Sequence, residues 1–144
     1  MKVFQIIAIF LVVIVNSCVR DYSTLTEFSI ENNSGQNIEI RVSNFETEFF
    51  TSVDTVFNLG IQSQVKCSYE LDGEDAIYKF PFGVYADSAM IIFNDTVSVL
   101  YTKDSPSPGN LLNLDNYSGG KVKDGLYSYV YEVSEQDYLD ASGK

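Results

Sequence analysis

Carboxylates and tyrosines are the reactive side chains this sequence holds in number: 20 Asp and Glu and 10 Tyr, against 2 Cys and no His. Without imidazole, every Ser-His-Asp or Cys-His arrangement and every His-based zinc site is excluded. Glycosidase-type chemistry needs two carboxyls converging in one cleft. Glu46 and Glu48 lie two apart and Glu74 adjoins Asp75, but no spacing brings either pair into a cleft. A solvated acidic surface accounts for them. Asp72-Gly73-Glu74-Asp75 and Asp115-Asn116-Tyr117-Ser118-Gly119 offer oxygen ligands in turns, yet neither has the spacing of a calcium loop. No glycine-rich phosphate loop or dinucleotide fingerprint is present. The expectation is a protein that is not an enzyme, with no catalytic residue, no metal and no cofactor.

One cysteine is placed for a different chemistry. Met1 and Lys2 form a minimal basic start, and Val3–Val15 is apolar apart from Gln5. That run suits the core of a secretory signal, whereas a spanning helix needs about 20 apolar residues. Val15-Asn16-Ser17-Cys18 follows it. Aliphatic, tolerant position, small residue, cysteine: this resembles the lipobox of bacterial lipoproteins. The resemblance implies a diacylglycerol on the Cys18 sulfur, cleavage after Ser17 and, in many bacteria, acylation of the new amine (palmitate-type chains). The competing readings are ordinary secretion and an uncleaved anchor. Charge, core length and cysteine placement together favour the lipobox. The implied partner is a membrane, held through lipid on Cys18, since two or three acyl chains give stable anchoring.

Cleavage before Cys18 leaves 127 of the 144 residues, one domain's worth. With Lys2 removed, 8 basic side chains face 20 acidic ones, a formal charge of −12. No Lys or Arg run remains, which excludes nucleic acid as a partner. The same excess of acid disfavours electrostatic adhesion to anionic lipid and leaves anchoring to the acyl chains. Cys67 is then the one remaining cysteine. It has no partner for an intramolecular disulfide, and thiolate metal sites and redox pairs are excluded. Its place in the alternation Val65-Lys66-Cys67-Ser68-Tyr69-Glu70-Leu71 reads as a small buried hydrophobe.

The elements that would position these side chains are strands. Phe28 and Ile30 begin the series, and Asn32-Asn33-Ser34-Gly35 reads as a turn. Ile38, Ile40 and Val42 then share one strand face. Val53–Leu59 and Val65–Leu71 give two more strands around Gly60, and Ile77–Phe82 a short one ended near Pro81. The unbroken apolar run Ala89–Phe93 suggests a strand buried on both faces, and Asn94-Asp95 a hairpin into Thr96–Tyr101. Gly119-Gly120 reads as a break, and Leu126–Val133 as the last strand. Ser134-Glu135-Gln136-Asp137 matches a capping box opening a short helix through Ala141, with Tyr138 packing back on the sheet. The prediction is all-β: a single β-sandwich, Ig-like or similar, over residues 27–144, with a short C-terminal helix. A signal-peptide helix (1–17) and a lipidated tether (18–26) precede it.

Tyr127, Tyr129 and Tyr131 form a stripe on one face of the last strand. Exposed, they are a possible binding stripe for a sugar or protein partner. Packed inward, they are strand-favoured core residues, and packing is the preferred reading. The Phe28–Gly35 opening, Asp87–Asp95 and the Tyr129–Tyr138 ending together resemble small uncharacterised lipoproteins of the Bacteroidetes. That resemblance implies an outer-membrane location. Surface-exported members usually carry an acidic cluster after the cysteine, and here Val19-Arg20-Asp21-Tyr22 follows it, which leaves the periplasmic or surface face open. The expected function is a lipid-anchored envelope module with a non-catalytic structural or binding role. The alternatives are a glycan- or protein-binding surface module, or an immunity or inhibitor protein against a basic toxin.

Overall fold

A computed structural model describes residues 22–46, 53–73, 76–105 and 109–143. The signal segment, the lipobox Val15-Asn16-Ser17 and Cys18 lie outside the described residues, as do Glu48, Glu74 and Asp75.

Eight strands run β1 (Ser23–Asn33), β2 (Ile38–Phe45), β3 (Val53–Leu59), β4 (Gln64–Asp72), β5 (Ser88–Phe93), β6 (Val97–Thr102), β7 (Ser118–Lys123) and β8 (Leu126–Ser134), followed by helix α1 (Glu135–Ser142). They form two four-stranded sheets, β4-β1-β8-β7 and β3-β2-β5-β6. The protein is an all-β sandwich with one short C-terminal helix. Every pairing is antiparallel except β1 with β8. The first and last strands thus lie side by side in the middle of one sheet.

Alternation decides which faces close on each other. Phe28 and Ile30 of β1 and Tyr131 and Val133 of β8 meet Ile38, Ile40 and Val42 of β2 and Ala89, Ile91 and Phe93 of β5 in one core. Each fully buried side chain of this size contributes about 1.5–3 kcal/mol. Ser134 caps α1: its hydroxyl accepts from the Asp137 N–H at 3.3 Å, and the Asp137 carboxylate accepts from the Ser134 N–H at 2.7 Å. Tyr138 then sets its ring 5.6 Å from Phe93. Asn94 and Asp95, both at positive φ (45° and 57°), and Thr96 make the three-residue β5–β6 turn, in which the Thr96 N–H donates to the Phe93 carbonyl at 3.0 Å.

Four details differ from the sequence reading. Ser23–Thr26, read as tether, is already β1, because β4 and β8 pair with it on both sides. There Thr24 and Thr26 are buried, with their hydroxyls bonded to the Gly73 carbonyl and the Tyr78 N–H. Ile77–Phe82 is not a strand but part of the loop that crosses one end of the sandwich, with Phe82 plugging the core against Phe45 and Phe57. β5 buries one face only, leaving Ser88, Met90 and Ile92 half-exposed. Gly119 and Gly120 continue β7 instead of breaking it. At Gly119 (φ 118°) a Cβ would come within 2.2 Å of the Ser128 carbonyl oxygen, so only glycine allows the two backbones to pair there.

Candidate functional site

The tyrosine stripe is interior packing. Tyr127 is 8% exposed and Tyr131 3%, and Tyr129 is half-buried with its ring stacked on Phe28 at 5.8 Å. The Tyr131 hydroxyl donates to the Gly109 carbonyl. The stripe's face turns into the sandwich, where Tyr129 stacks on Phe28 and Tyr131 packs against Tyr117 at 5.2 Å.

Instead, the reactive groups gather where β2 ends, at the edge strand β4. Glu46, directly after β2, has one carboxylate oxygen accepting from the Tyr78 hydroxyl at 2.7 Å and from the Val84 N–H at 2.6 Å. Its own carbonyl accepts from the Tyr69 hydroxyl at 3.2 Å. The rings of Tyr69 and Tyr78 stack at 4.3 Å, 5° from parallel. Gly83 (φ 95°) makes this possible, since a Cβ there would fall 2.0 Å from Glu46 Cβ. The loop therefore lies directly on Glu46. Beside the cluster is an open cleft of about 610 Å³, lined by Leu25, Glu46, Ser68, Tyr69, Glu70, Leu71, Asp72 and Tyr78.

Three carboxylates border this cleft, but they do not converge. Tyr69 points inward along β4, so Glu70 and Asp72 alternate away from it or lie exposed at the strand's end. Glu46 stands on the inner side with its oxygen already shared by two donors. Burial raises both tyrosine hydroxyls above their usual range, with the nearby Glu46 adding to the effect. They stay protonated and act as donors. Burial likewise pushes the Cys67 thiol up to about 12, and its sulfur faces the Pro81 carbonyl at 3.9 Å. A thiol held in that form is neither nucleophile nor metal ligand at neutral pH.

Elsewhere, asparagines act as internal connectors. Asn32, fully buried, donates to the carbonyls of Gln36, Leu59 and Gly60 at 2.8, 3.2 and 3.0 Å and accepts from the N–H and hydroxyl of Ser34. Asn110 does the same for the loop after β6, donating to Thr102 and Ser105 and accepting from the Leu112 N–H. Among the described residues, no buried side-chain polar atom lacks a partner, and no three potential ligands are grouped to hold a metal. The two turns considered for calcium differ: Asp72 and Asp115 are both exposed, and the Asn113 side chain instead caps a short 3-10 turn at Leu114–Asn116. The Glu46–Tyr69–Tyr78 cluster was missed from sequence because its members lie 23 and 32 residues from Glu46, with no periodicity to link them. Comparison with protein-family models, curated proteins and solved structures finds no match to this chain.

Proposed function

We propose that this chain is a lipid-anchored module of the bacterial cell envelope, held through Cys18, whose β-sandwich serves a structural or binding role and not a catalytic one. The observation that carries the non-catalytic half is the engagement of Glu46. The one carboxylate on the inner side of the cleft beside β4 is held by Tyr78 and the Val84 N–H, so it acts as a strut between loop and strand. A carboxylate oxygen shared by two donors from the loop is held in place between loop and strand instead of being aimed at a substrate in the cleft.

The anchoring half rests on the Val15-Asn16-Ser17-Cys18 segment and on the placement of β1, which starts at Ser23, just after it. Labelled palmitate tests it directly. The unaltered chain takes up label and runs at the size lacking residues 1–17, and Cys18→Ala loses the label and accumulates as the longer precursor. Persisting label in Cys18→Ala would overturn the anchor.

A further inference from the structure

The exposed apolar side chains of the sandwich are not scattered evenly. Of the eight large ones among the described residues, Tyr22, Phe80, Val84, Tyr85 and Val122 lie at one end, at 41–61% exposure. It is the end where β1 starts. The Gly73 N–H donates to the Tyr22 carbonyl at 2.6 Å, and the Leu25 N–H to the Gly125 carbonyl at 2.9 Å. The loop from Ala76 to Asp87 is tied across the same end through Tyr78 N–H to the Thr26 hydroxyl and Asp87 N–H to the Ser43 carbonyl. Its buried side, Phe82 and Ala86, closes the core, and its outer side presents Phe80, Val84 and Tyr85. Lys103 holds that outer side in shape: its ammonium donates to the Val84 carbonyl and sits 5.5 Å from the Phe80 ring centre.

Charge is sorted along the same axis. Four of the six described basic residues, Lys79, Lys103, Lys121 and Lys123, stand at this end. Against them stand Glu46, Asp54, Asp72, Asp87, Asp104 and Asp124, six described acids to four bases. The opposite end, where β1 stops and β8 passes into α1, carries Glu31, Asp95, Glu132 and Glu135, with Lys66 two residues along β4 from the partner of Glu31.

From this we infer that the end bearing Phe80, Val84 and Tyr85 docks on the lipid bilayer that holds the anchor, with the aromatic loop lying in the headgroup region. The inference rests on the lipid anchor at Cys18. Four residues lie between Cys18 and the first residue of β1, so five Cα steps give a reach of about 17 Å at full extension. That is little more than the radius of gyration of a domain this size, about 14 Å, so the lipid keeps this end against the membrane. Amphipathic tyrosine, apolar rings and flanking lysines are the side chains that settle at a bilayer interface.

The chain contains no tryptophan, so a single one reports without background. Tyr85→Trp and, at the far end, Ile61→Trp are made in the lipidated full chain. Each is purified from membranes, checked by mass for acylation, and placed in phosphatidylcholine vesicles with or without brominated acyl chains. The expected result is a blue-shifted emission for Tyr85→Trp, quenched several-fold more by bromolipid than that of Ile61→Trp. An acylated protein whose Tyr85→Trp emission is water-like and unquenched overturns docking while leaving the anchor intact. A blue shift without quenching also overturns it, by placing the loop against protein such as a second copy. A mass without acyl chains removes the anchor, and the docking with it.

Discussion

Replacing Asn32 with alanine should destabilise this domain more than any surface change, although the residue looks like an ordinary turn asparagine. Its amide joins two turns that share no sequence: Gln36 in the β1–β2 connection, and Leu59 and Gly60 at the end of β3. On the acceptor side it holds the N–H and hydroxyl of Ser34, itself fully buried. Truncation removes a partner from the buried Leu59 carbonyl and from the Ser34 N–H, and leaves the Ser34 hydroxyl only its long bond to the Gln36 carbonyl at 3.5 Å, at about 1–3 kcal/mol for each buried group. The Gln36 and Gly60 carbonyls lie nearer solvent and recover water. The loss should come to about 4 kcal/mol, against a total stability on the order of 5–15 kcal/mol, and Tm should fall by roughly 15 °C. Urea unfolding followed by circular dichroism reads it. Asn32→Asp sharpens the test. It keeps the acceptor but turns a carboxylate toward three carbonyls, so at neutral pH it should be worse than alanine. Its carboxyl is raised in the folded state above the ordinary value of about 3.9, so folding binds a proton there and the variant should lose stability as pH rises past 4. A loss below about 1 kcal/mol for Asn32→Ala, or Asn32→Asp more stable than Asn32→Ala at pH 7, would refute the hub.

Cys67, whose thiol burial pushes up to about 12, should alkylate with iodoacetamide at pH 8 at least 10³-fold more slowly in the folded protein than in urea, where its pKa is about 8.5; equal rates would mean the thiol is open. Burial also raises the hydroxyls of Tyr69, Tyr117 and Tyr131. The unfolded chain therefore loses these protons first, and stability should be fully present below about pH 10 and fall above it, visible as a delayed, cooperative rise in tyrosinate absorbance; a titration identical in folded and denatured protein would count against it. Ser134→Ala, which removes the hydroxyl of the capping box on α1, should cost about 1 kcal/mol, and no measurable change in urea midpoint would show that α1 adds nothing to the global transition.

What could be read from sequence was whatever repeats at the period of a strand or a cap. Ile38, Ile40 and Val42 alternate with polar neighbours because β2 has one face in the core. Ser134 and Asp137 stand three apart because a helix start needs that spacing. The loop from Ala76 to Asp87 misleads for a physical reason. Phe80, Pro81 and Phe82 have strand-like composition, but Phe82 is buried as a plug at the end of the sandwich and Phe80 faces out, which no ladder of hydrogen bonds imposes. Gly119 and Gly120 carry the composition of a break, yet the close Ser128 backbone makes glycine a requirement of the strand. The Glu46 cluster and the Asn32 hub are joined only by topology: each ties together ends of strands that share no local sequence.

The start of β1 matters most for the proposed docking on a membrane. A tether running from Cys18 through Thr26 would span nine residues, about 30 Å at full extension, enough for a small sandwich to turn any face toward the bilayer. Pairing with β4 and β8 from Ser23 onward takes four of those residues into the sheet and shortens the reach to about 17 Å. Net charge alone then misleads about the contact. The chain as a whole is strongly acidic, but β1 emerges beside Lys79, Lys103, Lys121 and Lys123 and the open rings of Phe80 and Tyr85, while Glu31, Glu132 and Glu135 lie at the other pole. On the docking proposed above, a short leash would select which pole faces the lipid, and that pole is the one with most of the exposed apolar surface among the described residues. Lengthening the leash supplies the control. A flexible insertion of ten Gly/Ser residues between Asp21 and Tyr22 adds an r.m.s. reach of about 17 Å without touching the sandwich. If tethering alone presses the loop to the bilayer, bromolipid quenching of Tyr85→Trp should collapse in the lengthened chain. If the loop has its own affinity for the interface, quenching should persist and should instead be lost when Phe80 and Val84 are both changed to serine.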